Sequence, residues 1–193
     1  RPLSDNPAFA KASTDELIEK HILSNRRWER QFAKLDFRNR DKIEVVSRIH
    51  AALGRANSDV NDPKMMSGGV MLDAVLALET VNSHDARLTA NLLTAKDHRI
   101  RAAALRILSH HLSNTPDALK LLGKAVADEH PQVRLWAVAC LNLMEKPEAF
   151  ELALMALDKP VDNNIDFLLE LTAREQADVW LPVFLKGDLK LNN

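Results

Sequence analysis

The chain of 193 residues has little of several residue types, and each shortage narrows what it can be. It contains no tyrosine, 5% aromatic residues, five glycines and one cysteine. A single cysteine allows no intramolecular disulfide and no Cys-x-x-Cys motif for a metal or covalent haem. Runs with the alternation of a strand are absent, whereas alanine and leucine are abundant, so the composition favours helices.

The charge and the hydropathy of the sequence indicate which classes of partner the chain can bind. The formal net charge is −1, whereas a nucleic-acid binder generally carries a basic face, so nucleic acid is not expected as a partner. Residues 1–50 hold 11 basic and 8 acidic residues, and residues 145–193 hold 5 and 10. This asymmetry either orients a partner or is a solvated surface without a role. No apolar run approaches the roughly 20 residues of a membrane span, so membrane insertion by this segment is not expected.

The strongest positive signal is an internal repeat. Shifting the stretch that begins at Asp97 by 33 residues lays its apolar and basic positions on the stretch that ends at Leu143. A self-match at such a period is typical of a helical solenoid, in which each unit buries its apolar face only against its neighbours. The matched pairs are Ile100/Val133, Arg101/Arg134, Ala104/Ala137, Ile107/Cys140 and Leu108/Leu141.

Helical periodicity in the remaining segments predicts ten to twelve helices in all. The expected fold is all-α: an α-solenoid of about five to six helical hairpins, wound as a right-handed superhelix. We expect one repeat domain over residues 1–193, with a lead-in at 1–12 and a longer connection at 56–67. Ser13 and Glu16 have the spacing of a capping box that starts the first helix. Because the sequence begins at Arg1 without Met or a signal peptide, we expect it to be a piece of a longer parent.

The pattern Asp…(Ile/Val)-Arg-x-x-Ala on the second helix of each hairpin resembles the HEAT repeat. In that family the Asp and Arg form a polar ladder between repeats, and the resemblance assigns this role to Asp97, Arg101, Asp128 and Arg134. The last repeat departs from the pattern, since Asp166 stands where the Arg belongs, and the ladder is not extended there. The alternative for Arg101 and Arg134 is a binding face for an acidic partner or phosphates.

A closer likeness lies in two segments: Leu17 with Asn25–Ala33, and Leu157–Asp162 and Asp166–Thr172 with Trp180-Leu181-Pro182. They resemble the HEAT segment of membrane-bound, haem-binding dehydrogenase proteins of planctomycetes and verrucomicrobia. In that family a β-propeller precedes the array and a cytochrome segment with Cys-x-x-Cys-His follows it. The resemblance implies a spacer or docking array between redox modules, on the exported side of a bacterial cell envelope. This chain lacks Cys-x-x-Cys-His and cannot itself hold covalent haem.

Few residues suggest a site. Trp28, Arg99 and Arg106 are candidates for surface binding, with a core position for tryptophan and a solvated face for arginine as the alternatives. The seven histidines lack the i, i+4 spacing and companion ligands of a metal site. Cys140 lies on an apolar stripe, which indicates a buried thiol. We therefore assign no catalytic, metal or cofactor-binding residue and expect no cofactor.

The sequence is compatible with two alternative functions. The first is a non-catalytic scaffold that binds protein, either other domains of the parent or a separate partner. The second is a HEAT-like DNA-binding or DNA alkylation-repair glycosylase domain, which would use a basic channel. The near-zero net charge argues against the second, because phosphate contacts supply most of the affinity of such binders.

Overall fold

A computed structural model describes residues 9, 11–22, 24, 26–55, 60 and 69–189, and this part of the chain contains helices and no strands. The all-α prediction is confirmed, with eleven α-helices among the described residues. The chain divides into two compact units, Arg1–Asp97 and His98–Asn193. Most of the predicted lead-in at 1–12 and connection at 56–67 lies outside the described residues. One continuous domain over 1–193 stays a prediction.

The first unit packs five helices around one apolar core. The capping box is present: the amide of Glu16 donates to Ser13 Oγ at 3.1 Å, and the amide of Ser13 donates to Glu16 Oε2 at 3.0 Å. The helix it starts continues as a π-helix, and the core includes Leu17, Phe37 and Ile49. The helices are α1 (Thr14–Glu16, followed by the π-helix Leu17–Ile22), α2 (Arg27–Phe37), α3 (Lys42–Arg55), α4 (Gly69–Thr80) and α5 (Ala86–Leu92).

The second unit consists of two layers of helices. Helices α6, α8 and α10 contact one another in chain order and form one layer, and α7, α9 and α11 form the other. Helix α8 packs against α6, α7, α9 and α10 and is the centre of the unit. The helices are α6 (His98–Ser109), α7 (Ala118–Val126), α8 (Pro131–Asn142), α9 (Pro147–Leu154), α10 (Asn163–Glu175) and α11 (Ala177–Leu185), with short 3₁₀ turns at Leu112–Asn114 and Met155–Asp158.

The internal repeat corresponds to two helices in the same layer. Both ends of α6 and α8 differ by the 33 residues found in the sequence. Every apolar side chain of the matched pairs is buried, so the apolar positions of the repeat are those that face the core. Proline opens α8 at its first turn, where its missing N–H leaves no hydrogen bond unmade.

Truncating one of these matched positions tests the core of the second unit. Leu108 is 1% exposed, and Leu108→Ala is expected to lower the free energy of unfolding by about 2–5 kcal/mol, because it removes buried methyl groups and leaves a cavity. Leu157 is 49% exposed, and Leu157→Ala should change it by less than about 0.5 kcal/mol. Urea unfolding followed by circular dichroism measures both. Equal effects of the two substitutions would contradict this core.

Candidate functional site

The amino ends of α6 and α8 are joined by an ion pair between Arg101 and Asp128. Arg101 Nε donates to Asp128 Oδ2 at 2.7 Å, and Arg101 Nη2 donates to Oδ1 at 2.8 Å. The side chains are only 17% and 13% exposed. A bidentate pair of this kind fixes direction as well as distance, because the planar guanidinium matches the two carboxylate oxygens.

Asp128 also holds the turn before α8, since its Oδ1 accepts from the amide of His130 at 2.8 Å. Burial opposes its charged form, but the hydrogen bonds from Arg101 and His130 and the charge of Arg101 outweigh that effect. The pKa of Asp128 is therefore lowered from its ordinary value. Its carboxylate stays ionised while it joins the two helices.

Arg134 reaches the next repeat through backbone carbonyls. Nη1 donates to the carbonyl oxygens of Asp128 and Glu129 at 3.0 Å each, and Nη2 donates to that of Pro160 at 2.5 Å. Arg134 is only 3% exposed, and its Nε has no partner among the described residues. The guanidinium thus ties the turn before α8 to the turn before α10.

These contacts show where the structure places the predicted ladder residues. It brings together Arg101, Asp128 and Arg134 within the second unit. Asp97 is the last residue of the first unit, so its part in a ladder stays a prediction. Asp166, which takes the place of an Arg in α10, is exposed.

A pair of stacked imidazoles lies beside this polar cluster. The ring centroids of His98 and His130 are 3.4 Å apart, with an interplanar angle of 12°. His130 is the N-cap of α8, and its Nδ1 accepts from the amide of Gln132 at 3.2 Å. Desolvation is the largest cause that lowers the pKa of His130, and His98 lowers it further, against the opposing effect of Asp128. Neutral His130 is the form that caps the helix, because its acceptor nitrogen must carry no proton.

The three candidates for surface binding fall in different units. Trp28 lies on α2 in the first unit, is 51% exposed and meets Phe9 and Phe32 edge-on, at centroid distances of 6.5 and 6.1 Å. Arg99 and Arg106 are both exposed on α6 in the second unit. Seven residues apart on one helix, they share a face.

Cys140 is fully buried, and its Sγ donates to the carbonyl of Leu105 at 3.2 Å. Burial raises the pKa of its thiol to about 12. The thiolate needed for nucleophilic or metal chemistry is therefore disfavoured at neutral pH.

Other polar residues that organise the fold are missing from the sequence predictions. Arg40 donates to Asp36, to Thr14 Oγ1 and to the carbonyls of Phe9 and Ala12, and so anchors the segment before α1. Only the i, i+4 pairing of Arg40 with Asp36 was visible in the sequence.

Gln176 is 3% exposed, and its Nε2 donates to three carbonyls at the end of α8, those of Leu141, Asn142 and Met144, at 3.0, 2.7 and 3.2 Å. It therefore caps α8 from more than 30 residues away in the sequence. No local pattern marks a cap at that separation.

In the first unit, the largely buried carboxylate of Asp73 holds two cations. Asp73 Oδ1 accepts from Lys34 Nζ at 2.6 Å, and Asp73 Oδ2 pairs with Arg30 Nε at 2.7 Å. Lys34 is 8% exposed, and a buried ammonium requires an ionic partner of this kind. The acidic partner of Arg30 thus lies in the middle of α4, whereas that of Arg101 lies at a turn.

Within the described ranges, no group of three or more His, Cys, Asp or Glu side chains could hold a metal ion. Among the same residues, no helix is both long and apolar enough to cross a bilayer.

The two layers of helices and the arginines that connect successive turns define a helical-repeat protein. Residues 86–179, just under half of the chain, match the family model for HEAT repeats, which supports a HEAT-repeat segment there. HEAT repeats generally mediate protein interaction or scaffolding and are typically non-catalytic. No curated protein and no solved structure matches the chain.

A double-mutant cycle measures the Arg101–Asp128 contact. Arg101→Met, Asp128→Asn and the double variant should give a coupling of about 1–3 kcal/mol in the free energy of unfolding, because the charges are in contact and largely removed from water. The exposed pair Arg174–Glu170, at 3.2 Å, is the control. Arg174→Met with Glu170→Gln should give about 0.5 kcal/mol or less. Equal couplings in the two cycles would show that the buried pair has no special role.

The pH dependence of stability tests the His130 cap. The unfolded chain takes up a proton near the ordinary value of 6.5, whereas folded His130 does so at lower pH. The cap therefore stabilises the fold fully above about pH 6.5, and its contribution to the free energy of unfolding is lost as the pH falls below that value. His130→Asn keeps a capping acceptor without a titrating ring, so urea unfolding from pH 7.5 to 5 should show a shallower decline. His110→Gln, at an exposed position, should keep the pH dependence of the unsubstituted chain. If His130→Asn also kept that pH dependence, the role of His130 as a titrating cap would be refuted.

Proposed function

We propose that this chain is a non-catalytic scaffold that binds other proteins through the exposed faces of its repeats. The observation that carries the proposal is how the polar groups of the HEAT-repeat segment are used. Arg101 bonds to Asp128 at the turn before α8, and Arg134 connects that turn to Pro160 before α10. These contacts hold neighbouring helices in register. Arg99 and Arg106 project from the same layer to solvent. A fixed backbone with exposed side chains is suited to binding a partner.

Photo-crosslinking in the producing cell tests this proposal. A benzophenone amino acid is placed singly at Arg99, Arg106, Leu143 and Phe167, all exposed in the second unit. At least one position should form a discrete adduct with another protein, because scaffolding requires stable contact at some exposed face. The same amino acid at the exposed Lys11 of the first unit controls for random collisions. The absence of discrete adducts at all four positions would overturn the proposal.

The finer role we propose is a spacer or docking array within a larger dehydrogenase or cytochrome protein on the exported side of a bacterial envelope. Its support is the likeness of residues 25–33 and 157–172 to the HEAT segment of such proteins, together with the HEAT-repeat match. The reading frame that encodes the chain is the direct test. A propeller upstream and a Cys-x-x-Cys-His segment downstream are expected, and a frame with neither would refute this role.

Duplex DNA is the probe for the alternative of a DNA-binding or alkylation-repair domain. We expect no binding of a labelled duplex even at low salt, where phosphate contacts are strongest. A fluorescence anisotropy titration of the full chain measures this, with a basic DNA-binding protein as the positive control. Binding that weakens steeply as salt is added would favour the alternative over the protein scaffold.

A further inference from the structure

A groove of about 650 Å³ lies at the carboxyl end of α8 in the second unit, formed by two successive connections between repeats. One wall is the segment from the 3₁₀ turn to the start of α7, and the other is the short connection from α8 to α9. Its volume is within the range of about 300–1,000 Å³ that is usual for binding pockets. The residues that matter below are Leu112, Leu119, Lys120, Leu143, Met144 and Lys146.

The floor of the groove is apolar and open to solvent. Leu143, the C-cap residue of α8, is 60% exposed. Leu112, Leu119 and Met144 are partly exposed beside it. Apolar side chains gathered in a concave surface mark interaction sites more often than single exposed leucines do.

The charged groups of the groove are mostly positive. Lys120 and Lys146 line it and are exposed, and within the described part of the chain neither makes an ion pair or a side-chain hydrogen bond. Asp117 is the single acidic residue of the lining. It is the N-cap residue of α7 in the left-handed conformation, with φ 57°, and makes no side-chain capping bond. The carboxylate of Asp117 offsets the positive end of the α7 dipole, so the two lysines supply the net positive charge of the lining.

Both walls are fixed before any ligand arrives. Gln176 bonds the carbonyls that precede and form the α8–α9 connection, as described above. On the other wall, buried Thr115 donates its hydroxyl to the carbonyl of His111 at 2.9 Å. A preformed groove loses little conformational entropy when it is filled.

We propose that this groove docks an extended acidic segment of a partner protein, with an apolar side chain on Leu143 and carboxylates facing Lys120 and Lys146. The charge complementarity of two unpaired lysines around an apolar floor selects this occupant over a basic or purely apolar one. The inference rests on the proposed scaffold function, and names the surface and the chemistry of the partner.

Peptide titration tests the proposal with the full chain. The probe is a short fluorescein-labelled peptide in which leucine alternates with glutamate, and the controls replace either every glutamate with lysine or every leucine with serine. Only the acidic, apolar peptide should bind, and amide NMR shifts should be confined to residues 112–120 and 143–146. Binding that maps elsewhere, or no binding at all, would overturn the proposal.

Variants at exposed positions separate docking from non-specific attraction. Lys120→Glu with Lys146→Glu should weaken binding of the acidic peptide at least about tenfold, since two attractions become repulsions. Lys11→Glu with Lys186→Glu changes the net charge equally at exposed sites outside the groove and should leave affinity within about twofold. Equal weakening by both pairs would reduce the effect to net charge and refute a docking groove.

Different crosslinking results would refute the docking groove and the scaffold function. In the crosslinking experiment, adducts at Leu143 that disappear in the Lys120→Glu, Lys146→Glu variant support the groove. Adducts at Arg99, Arg106 or Phe167 with none at Leu143 would refute the groove and leave the scaffold function standing. The absence of discrete adducts at every position would refute both.

Discussion

The ion pair between Arg101 and Asp128 is the contact on which the rest of the second unit depends. It joins the first turn of α6 to the turn before α8, and Arg134 continues the connection to Pro160 before α10. A largely buried guanidinium is costly without partners, and both arginines find partners at the turn of the following repeat. The hydrogen bonds of these arginines weaken steeply with distance and angle, so they favour one relative position of neighbouring helices. The repeat spacing is therefore set by polar contacts and stabilised by the core.

Helix α8 connects the two features that matter for function. The polar contacts lie at its amino end and the groove at its carboxyl end, about 18 Å apart at 1.5 Å per residue over the 12 residues of the helix. Gln176 satisfies the last carbonyls of α8 and fixes the loop that forms one wall of the groove. The same helix that is held in register at one end thus presents a fixed binding surface at the other.

The sequence predicts the helices of this unit well, because periodic apolar positions and a repeated Arg are local signals. The limits of α6 and α8 agree with the 33-residue match, and the apolar residues of the matched pairs are buried. Long-range polar contacts were not predictable. The resemblance assigned Arg134 to a polar ladder, but the motif does not specify its partners, which are the backbone carbonyls of Asp128, Glu129 and Pro160. Gln176 and the groove depend on which loops become neighbours, and no local pattern records that.

Native-state hydrogen exchange on Arg134→Met tests the central claim, that polar contacts at the turns hold successive repeats in register. Arg134 bonds turns on both sides, so its loss should lower amide protection in α8 and α10 together, while α2 and α3 of the first unit keep theirs. If protection fell only at the substituted turn, with α10 unchanged, repeat register would depend on apolar packing alone and the account would be wrong.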